Sequence, residues 1–276
     1  MTPIFVPMGT ILNTTKKTSP YEPLKKAART VIPDPAWRWI RSRYHRWTEP
    51  GYVPPVAAVD FGDFRRLTPF SNKFGADRGT ILDRYYIEGF LDECRGDVRG
   101  RLLEIGDNYY TLQFGGNNVT KSDVLHVEPG NPLATIIADL TCADDVPSDT
   151  FDCIIFTHTI QMIYDIPSAM RHLFRILKPG GVLLLATHGT SKVGRRLGKD
   201  SWGVYWRMTV DSVQRLLSEH FLAENISVAG HGNVLVATAF LYGLSAEELT
   251  RNELDTYDPD FQVLITARAV KHGINT

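Results

Sequence analysis

The 276-residue chain carries 43% apolar side chains and 30 Lys/Arg against 31 Asp/Glu, which suits one large α/β domain with an appendage, or two small domains. Its three cysteines, Cys94, Cys142 and Cys153, are odd in number and form no C-x-x-C pair; that argues against a disulfide scaffold or a zinc site and fits a reducing cytoplasm. No signal peptide is read at Met1 to Leu12 and no later run is long enough to span a bilayer, so a soluble chain is expected.

Charge is unevenly distributed. Residues 1–57 hold nine Lys/Arg against three Asp/Glu, and the remainder holds 21 against 28. This basic arm contains Pro35 to Trp47, where aromatic and basic side chains alternate and three of the five tryptophans fall. Such a stretch suits docking on an anionic membrane surface, a polyanion or an acidic partner. The competing role is a helix packed on the chain's own acidic domain. Between Phe61 and Leu91, Thr80 or Asp83 can start a helix with Tyr85, Tyr86, Ile87, Phe90 and Leu91 on its apolar face. Arg78 or Arg84 in this segment can hold a carboxylate bidentately, or pair internally with Asp77 and Asp83.

Arg101 to Ile105 is an apolar run that stops at Gly106 and leads into a polar, helix-starting segment, Asp107 to Phe114. A buried strand feeding a tight turn places a nucleotide-like ligand over the strand's carboxyl end. Glycine lets the backbone approach that ligand. Strand and helix signals then alternate. Strands are expected at Val124–Glu128, Ala134–Leu140, Phe151–Thr157, Val182–Ala186, Asn225–Val228 and Phe261–Val270. Helices are expected at Ser168–Leu177 with Ser168 as its cap, Val210–His220 capped by Thr209, and Asn233–Tyr242 stopped by Gly243. Val182 to Ala186 is apolar enough for a parallel sheet covered on both faces. Seven strands interleaved with helices make a doubly wound α/β sheet. The acidic stretch 245–258 reads as a long loop, which would let the final strand insert between its neighbours.

Glu104, Glu128 and Asp139 fall at three successive strand ends, where such sheets line their ligand crevice. An acid ending the second strand can accept both hydroxyls of a ribose, and Asp139 with Leu140 can bracket an adenine. Leu103-Glu104-Ile105-Gly106, Glu128, Ala138-Asp139-Leu140, Phe151 to Ile155 and Arg175-Ile176-Leu177-Lys178-Pro179-Gly180-Gly181 together resemble class I S-adenosylmethionine-dependent methyltransferases, close to the type 11 group. The likeness spans roughly residues 76–270. Phe74 to Gly79, Asp83 to Glu88 and Trp202 to Thr209 look like a bacterial subgroup associated with glycan or secondary-metabolite pathways.

The resemblance implies a Rossmann-like, seven-stranded, mostly parallel sheet with the last strand antiparallel, an N-terminal extension (1–57), and a catalytic domain over 58–276 whose substrate segments are about 61–91 and 188–209. It implies bound S-adenosylmethionine, with Glu104 and Gly106 at the methionine moiety, Glu128 at the ribose and Asp139 at the adenine. Asp107, Tyr110, Leu140, Thr157 and Arg84 complete the expected cofactor set. Thr157 and His158 would line the methyl-transfer site. His158, and second His188, are the candidate bases for an oxygen nucleophile. Gln161 and Tyr164 would orient a polar acceptor, and Trp202, Tyr205 and Trp206 would form a stacking wall beside Arg207. No metal is expected. The second glycine of the family's first loop is missing, Asp107-Asn108-Tyr109-Tyr110 standing there. This leaves a non-catalytic binding module as an alternative, and argues against an NAD-dependent oxidoreductase. The expected acceptor is a small molecule or saccharide rather than nucleic acid. The expected setting is cytoplasmic, peripheral to the inner membrane face if the arm docks there.

Overall fold

A computed structural model describes residues 32–49, 51–194 and 203–273. The chain divides into two compact units, Met1–Arg65 and Arg66–Thr276. In the first, α1 (Asp34–Thr48) covers the basic and aromatic stretch, entered through Pro33 and Pro35, and proline suits a helix's first turn. Trp39 (56%), Tyr44 (59%) and Trp47 (86%) are solvent-exposed on it. Among the described residues no helix is long and apolar enough to cross a membrane.

The second unit is built on one seven-stranded sheet. Its strands are β1 (Gly100–Ile105), β2 (Val119–His126), β3 (Ile136–Ile137), β4 (Phe151–Thr157), β5 (Leu177–His188), β6 (Ile226–His231) and β7 (Leu264–Val270), in spatial order β3-β2-β1-β4-β5-β7-β6. The first five are mutually parallel. β7 runs antiparallel between β5 and β6, as the acidic connection allowed. The order reverses at β1 and β4, and the crevice of such a sheet opens over the carboxyl ends at that switch.

Consecutive side chains on each strand go to opposite faces, and both faces are covered. Leu103, Ile154, Phe156, Leu183 and Leu185 pack under α3 (Ile166–Ile176) and α4 (Val210–Leu217). Leu102, Cys153, Ile155, Leu184 and Ala186 pack under α2 (Leu82–Glu93) and α5 (Val234–Tyr242). Fully burying one such leucine stabilises the fold by about 1.5–3 kcal/mol.

Helix ends follow local chemistry. Thr209 caps α4 in a reciprocal box with Ser212. Asn233 caps α5, and Gly243 ends it at φ 73°. A Cβ on Gly243 would stand 2.2 Å from the Ser71 carbonyl oxygen, so glycine is required twice over.

Four expectations change. The helix expected after Gly106 is present but short, α-helical at Tyr109 and Tyr110 and widened to a π-helical turn at Thr111–Gly115. β3 is only two residues long, its neighbourhood held instead by Thr135, whose hydroxyl accepts from the Val124 amide. Asp165, not Ser168, caps α3, because its carboxylate accepts from the Ser168 amide. The acidic stretch is structured, with α6 at Arg251–Asp255 capped by Thr250 and Glu253.

Candidate active site

A cleft of about 950 Å³ opens over the carboxyl ends of β1, β2 and β4. It is lined by Arg84, Glu104, Gly106, Asp107, Tyr110, Asp139, Leu140, Thr157, His158, Tyr164 and Tyr205. These come from α2 and from the turns after four different strands, so only the fold gathers them. Glu128 lies outside the lining, exposed two residues past the end of β2.

Glu104 is 2% exposed. Its carboxylate accepts from the amides of Tyr110 (3.2 Å) and Thr111 (2.8 Å). Those bonds fold the first loop back over β1 in place of the missing glycine's turn. Burial pushes the Glu104 carboxyl up to about 7, against the pull of the two amides. Gly106 sits at φ 87°, and a Cβ there would project into open space. Asn131, which the sequence reading passed over, holds this turn by donating its side-chain N–H to the Gly106 carbonyl at 2.6 Å. Its setting in Pro129-Gly130-Asn131-Pro132 marks a turn, but nothing local names the carbonyl it holds. Asp139 turns the chain by accepting from the Thr141 amide (2.8 Å) and hydroxyl (2.9 Å).

The residues fit the adenosyl donor that the resemblance implies. The open face of Gly106 lets a ligand reach the backbone. A buried carboxyl poised near neutrality suits the cationic methionine end, and Asp139 and Leu140 share the cleft with both.

At the cleft's other end, His158 follows β4 in a left-handed conformation, φ 49°, a strain of about 1–3 kcal/mol for a non-glycine residue. Its side chain is 29% exposed, yet both ring nitrogens are buried and make no hydrogen bond, Nε2 lying 3.3 Å from Asp83 Oδ2; only its carbon edge meets the cleft. Burial, reinforced by the neighbouring His188, lowers His158 to about 4. His188 ends β5 behind it, outside the cleft lining, with the two rings stacked at 4.2 Å. His188 Nε2 hydrogen-bonds Asp83 Oδ2 at 2.8 Å. Asp83 is 5% exposed in the first turn of α2. Burial alone would raise its carboxyl, but His158 and His188 outweigh that and hold it low. The sequence reading offered Asp83 as a helix start or an arginine's partner; its histidine partners are visible only in three dimensions.

The remaining candidates divide. Tyr164 and Tyr205 line the cleft, edge to face at 5.3 Å. Trp206 packs on Tyr164 at 5.8 Å and donates its indole N–H to the Ile163 carbonyl at 2.9 Å. Gln161 is buried, bonded to the Thr187 hydroxyl at 3.1 Å, and its carbonyl accepts from the Tyr205 amide at 2.8 Å. It thus anchors the aromatic segment rather than facing the cleft. Arg207 donates to the carbonyls of Ser191, Lys192 and Trp206, and lies outside the lining. Trp202 lies outside the described residues. Arg84 stands over the Tyr109 ring at 5.7 Å within the cleft, while Arg78 pairs bidentately with Glu248 rather than with Asp77.

A family profile described as a methyltransferase domain matches residues 74–234. The chain is 26% identical to malonyl-[acyl-carrier protein] O-methyltransferase of Prosthecochloris aestuarii over 194 residues, covering 70% of this chain and 55% of that protein. It is 30% identical to the ubiquinone/menaquinone biosynthesis C-methyltransferase UbiE of Cronobacter sakazakii over 106 residues, covering 32% of this chain and 41% of that protein. The chain thus spans about half the length of these relatives. Among solved structures it is similar to a Listeria monocytogenes protein titled a putative S-adenosylmethionine dependent methyltransferase (11% identity, TM-score 0.47, 70% of this chain and 97% of that one). It is also similar to the N-methyltransferase NodS of Bradyrhizobium japonicum in complex with S-adenosyl-l-homocysteine (13% identity, TM-score 0.45, 70% and 89%).

Proposed function

Because the chain belongs to the methyltransferase-domain family, whose methyl donor is S-adenosylmethionine, we propose that it methylates a small-molecule or saccharide acceptor, at oxygen, in the cleft over β1 and β4. The observation that carries this reading is the single cleft joining Glu104, Gly106 and Asp139 to His158. Glu104 and Gly106 hold the methionine end of the donor, and Asp139 and Leu140 the adenine; Glu128, outside the lining, is left without the ribose role expected of it. Asp107, Tyr110, Thr157 and Arg84 complete that wall. The bound donor supplies a methyl group activated on a sulfonium.

The protein's own tasks are alignment and exclusion of water. Tyr164 and Tyr205, braced by Trp206, offer flat faces on which a sugar or aromatic ring stacks. His158, with His188 behind it, marks the end where the acceptor's oxygen is activated. The exposed aromatics of α1 supply a docking face for an anionic membrane surface or an acidic partner. Calorimetric titration with S-adenosylmethionine and S-adenosylhomocysteine tests the reading: one-to-one binding of both is expected, and binding of neither removes it.

A further inference from the structure

Three of the six buried side-chain polar atoms that make no hydrogen bond, among the described residues, sit in one place: Asp83 Oδ1, His158 Nδ1 and His158 Nε2, the last 3.3 Å from Asp83 Oδ2. Folded proteins rarely leave such atoms unpaired. The strained backbone at His158 points to the same spot. From these observations we propose that Asp83, His158 and His188 form a binding site for a divalent transition-metal ion of the zinc class.

The distances suit it. His188 Nε2 and His158 Nε2 lie 2.8 Å and 3.3 Å from Asp83 Oδ2, and one donor atom from each residue falls within 4.8 Å of the others. Donors bonded to zinc at about 2.0–2.2 Å stand about 3 Å from one another around the ion. Two stacked imidazoles at 4.2 Å cannot both be protonated without repulsion, and neutral imidazole is the ligating form. The ion replaces the proton that His188 Nε2 shares with Asp83 Oδ2, and that proton passes to solvent or to Nδ1. The carboxylate brings one negative charge, and its second oxygen, without a hydrogen bond, allows bidentate binding. Of the three orphaned atoms a metal satisfies two, His158 Nε2 and Asp83 Oδ1. Phe74 and Phe240 lie against the His188 ring at 6.3 Å and 5.7 Å, giving the apolar shell that strengthens such sites. Two nitrogens and one carboxylate select zinc-class ions over magnesium or calcium, which take oxygen ligands.

Three protein ligands leave a coordination position open, and His158 is the ligand that reaches the cleft. Both of its nitrogens lie behind the ring edge that meets the cleft, so the ion sits beneath the cleft wall with water completing its sphere. The metal site does not rest on the methyltransferase reading.

The test uses untagged, full-length protein freed of metal with a chelator and titrated with zinc and with cobalt(II). One-to-one binding is expected, weakened at least about tenfold in Asp83→Asn, His158→Gln and His188→Gln. X-ray absorption of the zinc-loaded wild type, which needs no variant to fold, is expected to show two imidazoles at about 2.0–2.1 Å. No stoichiometric binding, unchanged affinity in folded variants, or absorption without imidazole would each overturn the site. S-adenosylhomocysteine titrated into the same sample separates the two readings. Donor binding without metal removes this inference alone, and metal binding without donor removes the methyltransferase reading alone.

Discussion

His188, at the end of β5, donates its Nε2–H to Asp83 Oδ2 at 2.8 Å across 105 residues of sequence. The bond ties the first turn of α2 to the centre of the sheet, and both side chains are nearly buried. Asp83→Asn keeps the shape but removes the charge that strengthens the bond. We expect a loss of about 1–3 kcal/mol in urea unfolding; a change below about 0.5 kcal/mol would show that the bond is idle.

Gly106→Ala tests whether the donor passes close to the first loop. A Cβ there meets no protein atom, so the folding cost is limited to its left-handed φ of 87°, about 1 kcal/mol. The side chain would project into the cleft, however, and S-adenosylhomocysteine affinity should fall at least about tenfold. Calorimetry showing unchanged affinity would place the ligand elsewhere.

Glu104 makes donor binding sensitive to pH. Its carboxyl sits at about 7 in the folded protein against an ordinary 4.5. Folding therefore takes up a proton between those values: the group's contribution to stability is complete below pH 4.5 and is lost as pH rises through 7. A cationic methionine end favours the ionised form, so binding at pH 7 should release about half a proton. Titrations in buffers of different ionisation enthalpy measure this, and Glu104→Gln should abolish the release.

Glu248 works in the opposite direction. The Arg78 guanidinium beside it holds its carboxyl at about 2, below an ordinary 4.5. The pair's stabilisation is present above pH 4.5 and lost as pH falls toward 2. Both side chains are about a third exposed, so solvent screening keeps the effect small. Glu248→Gln should flatten the acid limb of the stability profile while leaving a slope at pH 7 unchanged.

Removing residues 1–65, the first compact unit, should leave the sheet domain folded, which a single cooperative urea transition of the shortened protein would show. Co-sedimentation with vesicles rich in anionic lipid should drop on the same deletion. Equal sedimentation of both forms would refute the membrane role of α1's exposed tryptophans.

The sheet was legible in the sequence because its strands are continuous apolar runs, and a run such as Val182 to Ala186 is buried whatever its neighbours are. The caps Thr209 and Gly243 were legible too, since each acts on backbone groups three or four residues away, whereas Asn233 reads as the first residue of its helix rather than its cap. The acids and glycine of the cleft could be read from their places at strand ends, because the doubly wound fold brings those ends together. Gln161 and Arg207 were misplaced toward the acceptor, as nothing local shows that one bonds Thr187 and the other three carbonyls. Asp83, His158 and His188 carry no shared spacing. Their meeting depends on α2 packing against the carboxyl ends of β4 and β5, a matter of tertiary geometry in which burial, not sequence distance, decides which charges find each other.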